Sequence, residues 1–341
     1  MSAEKSSSIE EVLAHLADRS SLQRDEARQV MSTLLRGEAT AAQTGAFLMG
    51  LRAKGETEEE VVGLLEAMRG ACVKIEPRRE PVMDLCGTGG DGSGTFNIST
   101  AASLVVAAAG VAVAKHGNRS ASSRCGSADV LEALGVPLDL SPDRARLSIE
   151  EHGFGFLFAP LYHPAMKHVA VARRELRFRT IFNSLGPLAS PAGVKRQLLG
   201  VFDDRSRPRM AGVLGLLGSE RVWVVHGHGG LDELSLSGSS QVTALEGGTV
   251  RELAVHPGDC GLPSSPVDAL RGGDPAENAA IIRSLLAGER GPRRDAVVLN
   301  AAAALVVAGA ARDLKEGAER AQASLDSGSA RRTLDALRRF R

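Results

Sequence analysis

Apolar residues recur at helical spacing through the first seventy positions. Ile9, Val12, Leu13 and Leu16 fall on one face of a helix, and Ser8 with Glu11 makes a capping box at its start. Ser21 is placed to cap a second helix that ends near Gly37. A third is predicted from about Thr40 to Gly55, with Phe47, Leu48 and Leu51 facing inward. Thr57 and Glu60 form another capping box ahead of Val61, Leu64, Leu65 and Met68, and Gly70 is expected to stop that helix. Four short amphipathic helices without a strand among them predict a small helical unit.

The pattern changes at Pro81. A short apolar run, Val82 to Cys86, breaks into the glycine-rich stretch Gly87 to Gly94, which an Ala/Val-rich helix follows. A second apolar run, Val111 to Ala114, ends at Lys115. Ser141-Pro142-Asp143 has the cap-plus-proline signature of a helix start. Phe154 to Phe158 and Arg221 to His226 read as further buried strands. Met166 to Arg179 reads as a charged helix, Gly186 to Pro191 as a turn-rich hinge, and the tail after Pro275 as helical. Strands alternating with helices predict βαβ units and a mostly parallel sheet.

Composition narrows the partners. Lys plus Arg and Asp plus Glu both number 41, so the excess of positive charge that draws a protein to nucleic acid or an anionic membrane is missing. Aromatic residues at 3% are too few for platforms that stack single-stranded bases. Cys72, Cys86, Cys125 and Cys260 are scattered, without the paired spacing of a disulfide framework or a zinc site, which favours a reducing compartment. The stretches Ala101 to Ala114 and Ala296 to Ala311 fall short of the roughly 18 apolar residues of a membrane span. Residues Met1 to Glu11 carry Glu4, Lys5, Glu10 and Glu11 instead of an apolar leader. A cytoplasmic protein is the expectation.

Four strings carry candidate chemistry. In DLCGTGGDGSGTFNIST, Asp84 to Thr100, five glycines run from a strand to a helix start, with hydroxyls at Thr95, Ser99 and Thr100. Glycines let backbone N–H groups close on an anion, and the helix N-terminus adds aligned donors. The string is neither a Walker A loop nor a GxGxxG fingerprint. Asp91 would repel a bare phosphate, so a divalent cation or a ligand hydroxyl is expected between them. The second string, Lys115 to Gly135, supplies Lys115, Arg119 and Arg124 as charge. It adds Ser120, Ser122, Ser123 and Ser127 as hydroxyls, with Asn118 able to donate and accept. Following a strand end, it should share the glycine loop's sheet edge. Asp232 and Glu233 in Gly230 to Leu234 are a candidate Mg²⁺ site. Among Arg173, Arg174, Arg177 and Arg179, one facing inward could grip a carboxylate in two-point fashion, and spacing does not say which.

The ordered set Gly-Thr-Gly-Gly-Asp, TFNIST, KHGNR, RREL, FNxLGPL and GLDE, together with the helical start, resembles the anthranilate phosphoribosyltransferase family across most of the chain. The resemblance implies a small N-terminal helical domain plus a larger α/β domain with a mostly parallel central sheet flanked by helices. The helical domain would span 1–76, joined by the segment at about 164–190, and the α/β domain 77–163 and 191–341. It implies Mg²⁺-dependent transfer of a phosphoribosyl group from 5-phosphoribosyl 1-diphosphate to the amine of anthranilate, on the route from chorismate to tryptophan. It further implies a homodimer formed through the helical domain.

Carried over residue by residue, the donor would meet Gly87, Gly90, Asp91, Thr95, Asn97, Ile98, Ser99 and Thr100. It would also meet Lys115, His116, Gly117, Asn118, Arg119, Ser120, Ala121, Ser122, Ser123 and Ser127. Ser99, Asp232 and Glu233 would contact Mg²⁺. Anthranilate would meet Gly87, Asn118, Pro160, His163, Arg173 and Gly186, and Arg173 would hold its carboxylate. Lys115, Asn118 and Arg173 would act in catalysis by positioning and electrostatics. Four positions depart from the family pattern: Met166 where some relatives place tyrosine, Arg177 for the usual glycine, Ser184 for a frequent leucine, and Ser190 for the usual asparagine. They bear on the acceptor pocket. A pyrimidine nucleoside phosphorylase shares a glycine-rich phosphate loop, but KHGNR and LGPL fit it poorly. A non-catalytic nucleic-acid-binding relative would leave the Asp232-Glu233 pair and Arg173 without a purpose.

Overall fold

The structure, a computed structural model, describes residues 8–120 and 123–341; residues 1–7 and two expected donor-site residues, Ala121 and Ser122, lie outside the described residues. In chain order the elements are α1 (Ile9–Ala17), α2 (Arg24–Arg36), α3 (Ala41–Lys54), α4 (Glu58–Ala71), β1 (Val82–Gly87), α5 (Ile98–Ala108) and β2 (Ala112–Gly117). Then follow α6 (Ser127–Leu134), α7 (Pro142–His152), β3 (Phe154–Phe158), α8 (Ala159–Tyr162), α9 (Lys167–Leu176), α10 (Phe182–Leu185) and β4 (Arg196–Gly200). The remainder are α11 (Arg207–Leu216), β5 (Arg221–His226), β6 (Ser240–Glu246), β7 (Thr249–Val255), α12 (Pro275–Leu286), α13 (Pro292–Val307), α14 (Leu314–Asp326) and α15 (Ser329–Arg339).

These elements form two units, one of residues 1–73 and 160–191, the other of 74–159 and 192–341. The divisions lie three, four and one residues from the expected 76/77, 163/164 and 190/191 boundaries.

In the helical unit the capping boxes at Ser8, Thr40 and Thr57 are formed. The start of α2 differs from expectation. Ser21 is not its cap; Glu26 instead turns back to accept from the Gln23 N–H at 2.8 Å. Glu60, fully buried, goes beyond its capping role: it accepts from the N–H groups of Leu22 and Thr57, each at 2.8 Å, and from the Lys54 ammonium at 2.9 Å. Gly70 does not stop α4, because the chain leaves extended at Cys72 instead of turning left-handed at the glycine. Helix α9 ends at Leu176, three residues short of expectation, with Arg177 left-handed at φ 51°. Val169 and Ala172 turn inward where α9 packs on α2 and α3.

The other unit is a seven-stranded sheet in the order β3-β2-β1-β4-β5-β6-β7. Neighbours from β3 to β5 are parallel, and β6 and β7 are antiparallel. Sequence patterning marked no strand at β4, β6 or β7. Strand β2 runs past Lys115 to Gly117, so that lysine lies inside the strand. Helices α5 and α13 are buried nearly all round, which is why their sequences read as apolar runs instead of amphipathic stripes. They pack together over Met83, Leu85, Val113 and Leu198 of the sheet. The chain builds outward from β1 to β3, then returns to lay β4 on the other side of β1. Strand order therefore reverses at β1, and an open α/β sheet leaves its ligand crevice outside the carboxyl ends at such a point.

Candidate active site

Four segments leave the carboxyl ends of the adjacent strands β2, β1, β4 and β5. The glycine loop follows β1. Gly89, Gly90, Gly92 and Gly94 all adopt positive φ, between 66° and 76°, a region costly to any other residue. Inside the loop the Asp91 carboxylate accepts from Ser93, at 3.2 Å from the N–H and 2.6 Å from the hydroxyl. Thr95 is half-buried beside Ser93, Ile98 and Thr100 are buried, and Asn97 opens α5. Asn97 does not cap that helix with its side chain; Nδ2 donates across to the Cys125 carbonyl at 3.1 Å.

From β2, Lys115 is almost fully buried; Nζ donates to the Leu85 carbonyl and lies 3.5 Å from Ser99 Oγ. The His116 N–H donates to Asp84 Oδ1 at 3.3 Å. Gly117 lets Ser127 approach: a Cβ there would sit 2.2 Å from the Ser127 hydroxyl. That hydroxyl donates to the carbonyl of Asn118, whose side chain is exposed. Arg119 turns to Asp129 and Glu132, at 3.0 and 2.8 Å, and covers the ring of Phe158. Its charge is thus engaged by the protein's own acids, which raise its pKa. Ser120 donates from N to Asp129 and from Oγ to the Ser123 carbonyl, and Arg124 is exposed, 3.9 Å from Glu277. Lys115, inside β2, brings a buried ammonium beside Ser99 at the start of α5.

The acidic pair closes the arrangement after β5. Asp232 Oδ2 accepts from the Gly89 N–H at 2.7 Å, and Glu233 Oε1 accepts from the Ser99 N–H at 2.9 Å. Both carboxyls are pushed well above the usual range, by burial first. The Asp91 carboxylate adds to this at Asp232, and Asp232 adds to it at Glu233, where Lys115 acts in the opposite sense. Two carboxylates held together against their repulsion, with Ser99 alongside, form an all-oxygen donor set that fits a hard divalent cation. Among the described residues no cluster of three or more His, Cys, Asp or Glu side chains stands ready to hold a metal alone. Mg²⁺ takes one or two carboxylates and completes its shell with phosphate and water, so a pair of carboxylates is enough protein ligand for it.

Two residues not singled out by sequence reading shape this site. Gly200, at the end of β4, has no room for a side chain, since a Cβ would lie 1.6 Å from the Asp232 carbonyl oxygen. Asp84, fully buried on β1, has its carboxyl pushed up to about 7 by burial, with Lys115 and the His116 N–H pulling it back. A lone Asp in an apolar run was the available signal.

Of the expected acceptor residues, Pro160, His163, Arg173 and Gly186 lie in the helical unit, and Gly87 and Asn118 in the other. On α9, Arg173 is half-buried, packs over the Phe182 ring at 4.9 Å and meets no acidic group among the described residues. Arg174 and Arg177 are exposed and Arg179 is half-buried. Burial lowers the pKa of His163, whose Nε2 lies 3.0 Å from the Ala189 carbonyl and therefore carries the proton. Pro160 is exposed at the start of α8, and Gly186 follows α10. Of the departures, Met166 and Ser184 are half-buried, while Ser190 is buried with its hydroxyl unpaired.

Residues 10–72 match the helical bundle domain of a glycosyl transferase family and residues 79–331 its a/b domain. The chain belongs to that glycosyl transferase family. Within it, the chain is 54% identical over 330 residues to the anthranilate phosphoribosyltransferase of Myxococcus xanthus, covering 96% of this chain and 98% of the relative. The anthranilate phosphoribosyltransferase of Symbiobacterium thermophilum is 52% identical, with 96% of each chain covered. Among solved structures, the enzyme of that name from Thermus thermophilus aligns with a TM-score of 0.91 and 47% identity, over 96% of this chain and 98% of that one. The Saccharomyces cerevisiae enzyme in complex with PRPP and Mg aligns with a TM-score of 0.88 and 27% identity, over 96% of each. Among the described residues no helix is long and apolar enough to cross a membrane.

Proposed function

We propose that this protein is the transferase its family relatives are named for. It moves the 5-phosphoribosyl group of 5-phosphoribosyl 1-diphosphate onto the amine of anthranilate, giving N-(5-phosphoribosyl)anthranilate and pyrophosphate, in the tryptophan pathway. The observation that carries this reading is the pairing of Asp232 with Gly89 and of Glu233 with Ser99, which sets two carboxylates and Lys115 around one glycine loop.

In this reading the glycine loop and the hydroxyls of Thr95, Ser99 and Thr100 hold the donor. The C1–O bond to pyrophosphate breaks, leaving an oxocarbenium-like ribose; the C1–N bond forms from the aniline lone pair, and the amine proton passes to solvent. Negative charge gathers on the departing pyrophosphate, and the buried Lys115 ammonium beside Ser99 favours that charge. Asp232 and Glu233 with Ser99 would hold Mg²⁺, which when bound would neutralise charge on the leaving group. No strong general base is required, because the aromatic amine is nucleophilic once positioned. Arg173 grips the anthranilate carboxylate, supported by its half-buried guanidinium without an acidic partner. Pro160, His163 and Gly186 are the further acceptor contacts of the helical unit. The protein works in the cytoplasm as a homodimer joined through its helical unit.

Loss of anthranilate fluorescence on mixing with donor and Mg²⁺ tests the activity. For the acceptor site, Arg173→Ala should raise the anthranilate KM about 10- to 100-fold, the cost of one charge-assisted carboxylate contact, and leave the donor KM near its starting value. Equal weakening of both substrates contradicts the assignment.

A further inference from the structure

Asn278 lies in the first turn of α12, 1% exposed, and the reaction outlined above makes no use of it. Its carboxamide is engaged at both ends. Oδ1 accepts from the Gly273 N–H at 2.7 Å, and Nδ2 donates to Asn97 Oδ1 at 2.9 Å. Asn97 in turn donates from Nδ2 to the Cys125 carbonyl at 3.1 Å. A backbone donor at one end and a backbone acceptor at the other fix both amides. Turning either side chain over would set donor against donor or acceptor against acceptor.

The chain leading into α12 is also tied to the glycine loop. The Phe96 N–H donates to the Leu270 carbonyl at 3.0 Å, and the Gly272 N–H to the Gly94 carbonyl at 2.9 Å. Gly272 must lack a side chain for this approach: a Cβ would lie 2.5 Å from Asn278 Oδ1 and 2.6 Å from Phe96 Cα.

We propose that Asn278 is a positioning residue of the donor site. Acting through Asn97, it fixes the end of the glycine loop against the end of the basic loop at Cys125, so that the phosphoribosyl donor meets a cradle already set. The inference rests on the donor site of the preceding subsection. A buried neutral relay of this kind loses directional hold on Asn97 when its donor is removed, and the loss falls on the substrate that Asn97 meets.

The test measures the KM of donor and of anthranilate for Asn97→Ala, Asn278→Ala, Asn278→Asp and the Asn97→Ala/Asn278→Ala pair, each checked by thermal melting. Asn278→Ala should raise the donor KM about three- to ten-fold, the scale of one neutral hydrogen bond, and leave the anthranilate KM unchanged. Asn278→Asp keeps the size and the acceptor for Gly273; protonated it can still donate to Asn97, and ionised it cannot. Its donor KM should therefore rise as pH is raised while the parent's changes less, and this pH-dependent rise carries the test if the alanine variant fails to fold. The pair should match Asn97→Ala alone. Folded Asn278 variants with an unchanged donor KM, an equal rise in both KM values, or multiplying effects in the pair overturn the inference while the donor site stands. No rise with Asn97→Ala removes Asn97 from the donor site and overturns the inference with it.

Discussion

Gly87 and Gly200 both face Asp232 from neighbouring strands, and a methyl group added to each should fail in a different way. At Gly87 the new Cβ would lie 2.3 Å from Asp232 Oδ2 and 2.9 Å from its Cγ. Relief requires the carboxylate to swing back by about 1 Å to reach ordinary contact distance. It can do so by side-chain rotation, so the fold should survive with a small change in melting temperature. The swing breaks the 2.7 Å bond from the Gly89 N–H and withdraws one carboxylate from the cation site. A hydrogen bond to a charged group is worth about 1.5–3 kcal/mol, so kcat/KM for the donor should fall about 10- to 150-fold. At Gly200 the clash is with backbone, 1.6 Å from the Asp232 carbonyl oxygen and 2.4 Å from its carbon. Neither side can rotate away, and Gly200→Ala should cost about 3 kcal/mol of stability. Urea unfolding followed by the single tryptophan, Trp223 on β5, reads the stability, and steady-state kinetics with a Mg²⁺ titration reads the activity. A Gly87→Ala enzyme with unchanged donor kcat/KM, or a Gly200→Ala protein as stable as its parent, would refute the placement of Asp232.

Three further outcomes follow from the same geometry. The folded Asp84 carboxyl, pushed up to about 7, favours the protonated form relative to the unfolded chain, so its contribution is full below about pH 4 and lost as pH rises to about 7. Asp84→Asn should therefore gain stability relative to the parent between pH 5 and pH 8 in urea melts; a parallel pH dependence for the two proteins would argue against a buried carboxyl. Replacing Asp232 by Asn and Glu233 by Gln should shift the Mg²⁺ titration of activity to higher concentration; an unmoved titration would take both residues out of the site. Arg177→Gly should raise stability by about 1 kcal/mol, because a left-handed arginine at a helix end is replaced by the residue that adopts that conformation freely; a lower melting temperature would contradict this.

Much of the site was legible because its chemistry is local in sequence. The glycine loop, Lys115 and the Asp232-Glu233 pair stand out by residue type, and βαβ logic puts the first two at one sheet edge. The sequence could not show that Asp232 docks on Gly89 across 143 positions, nor that Gly200 exists to admit it. Such contacts are set by strand order. Strand β7 escaped notice because it is exposed along most of its length and carries no apolar run. Ser21 failed as a cap because a downstream glutamate, Glu26, could satisfy the Gln23 N–H instead. Arg119 was chosen for its charge, and its role as the counterion of Asp129 and Glu132 emerged only when α6 was seen to pass beside it.

The helical unit draws on two stretches separated by residues 74–159, and this has a bearing on synthesis. Helices α1 to α4 leave the ribosome first, yet the surface of α2 and α3 that receives Val169 and Ala172 stays uncovered until α9 has been made. Three strands of the sheet emerge in the meantime, and their own neighbour β4 comes later still. A nascent chain halted at residue 159 therefore carries two unfinished cores at once, and its most vulnerable moment comes midway through translation.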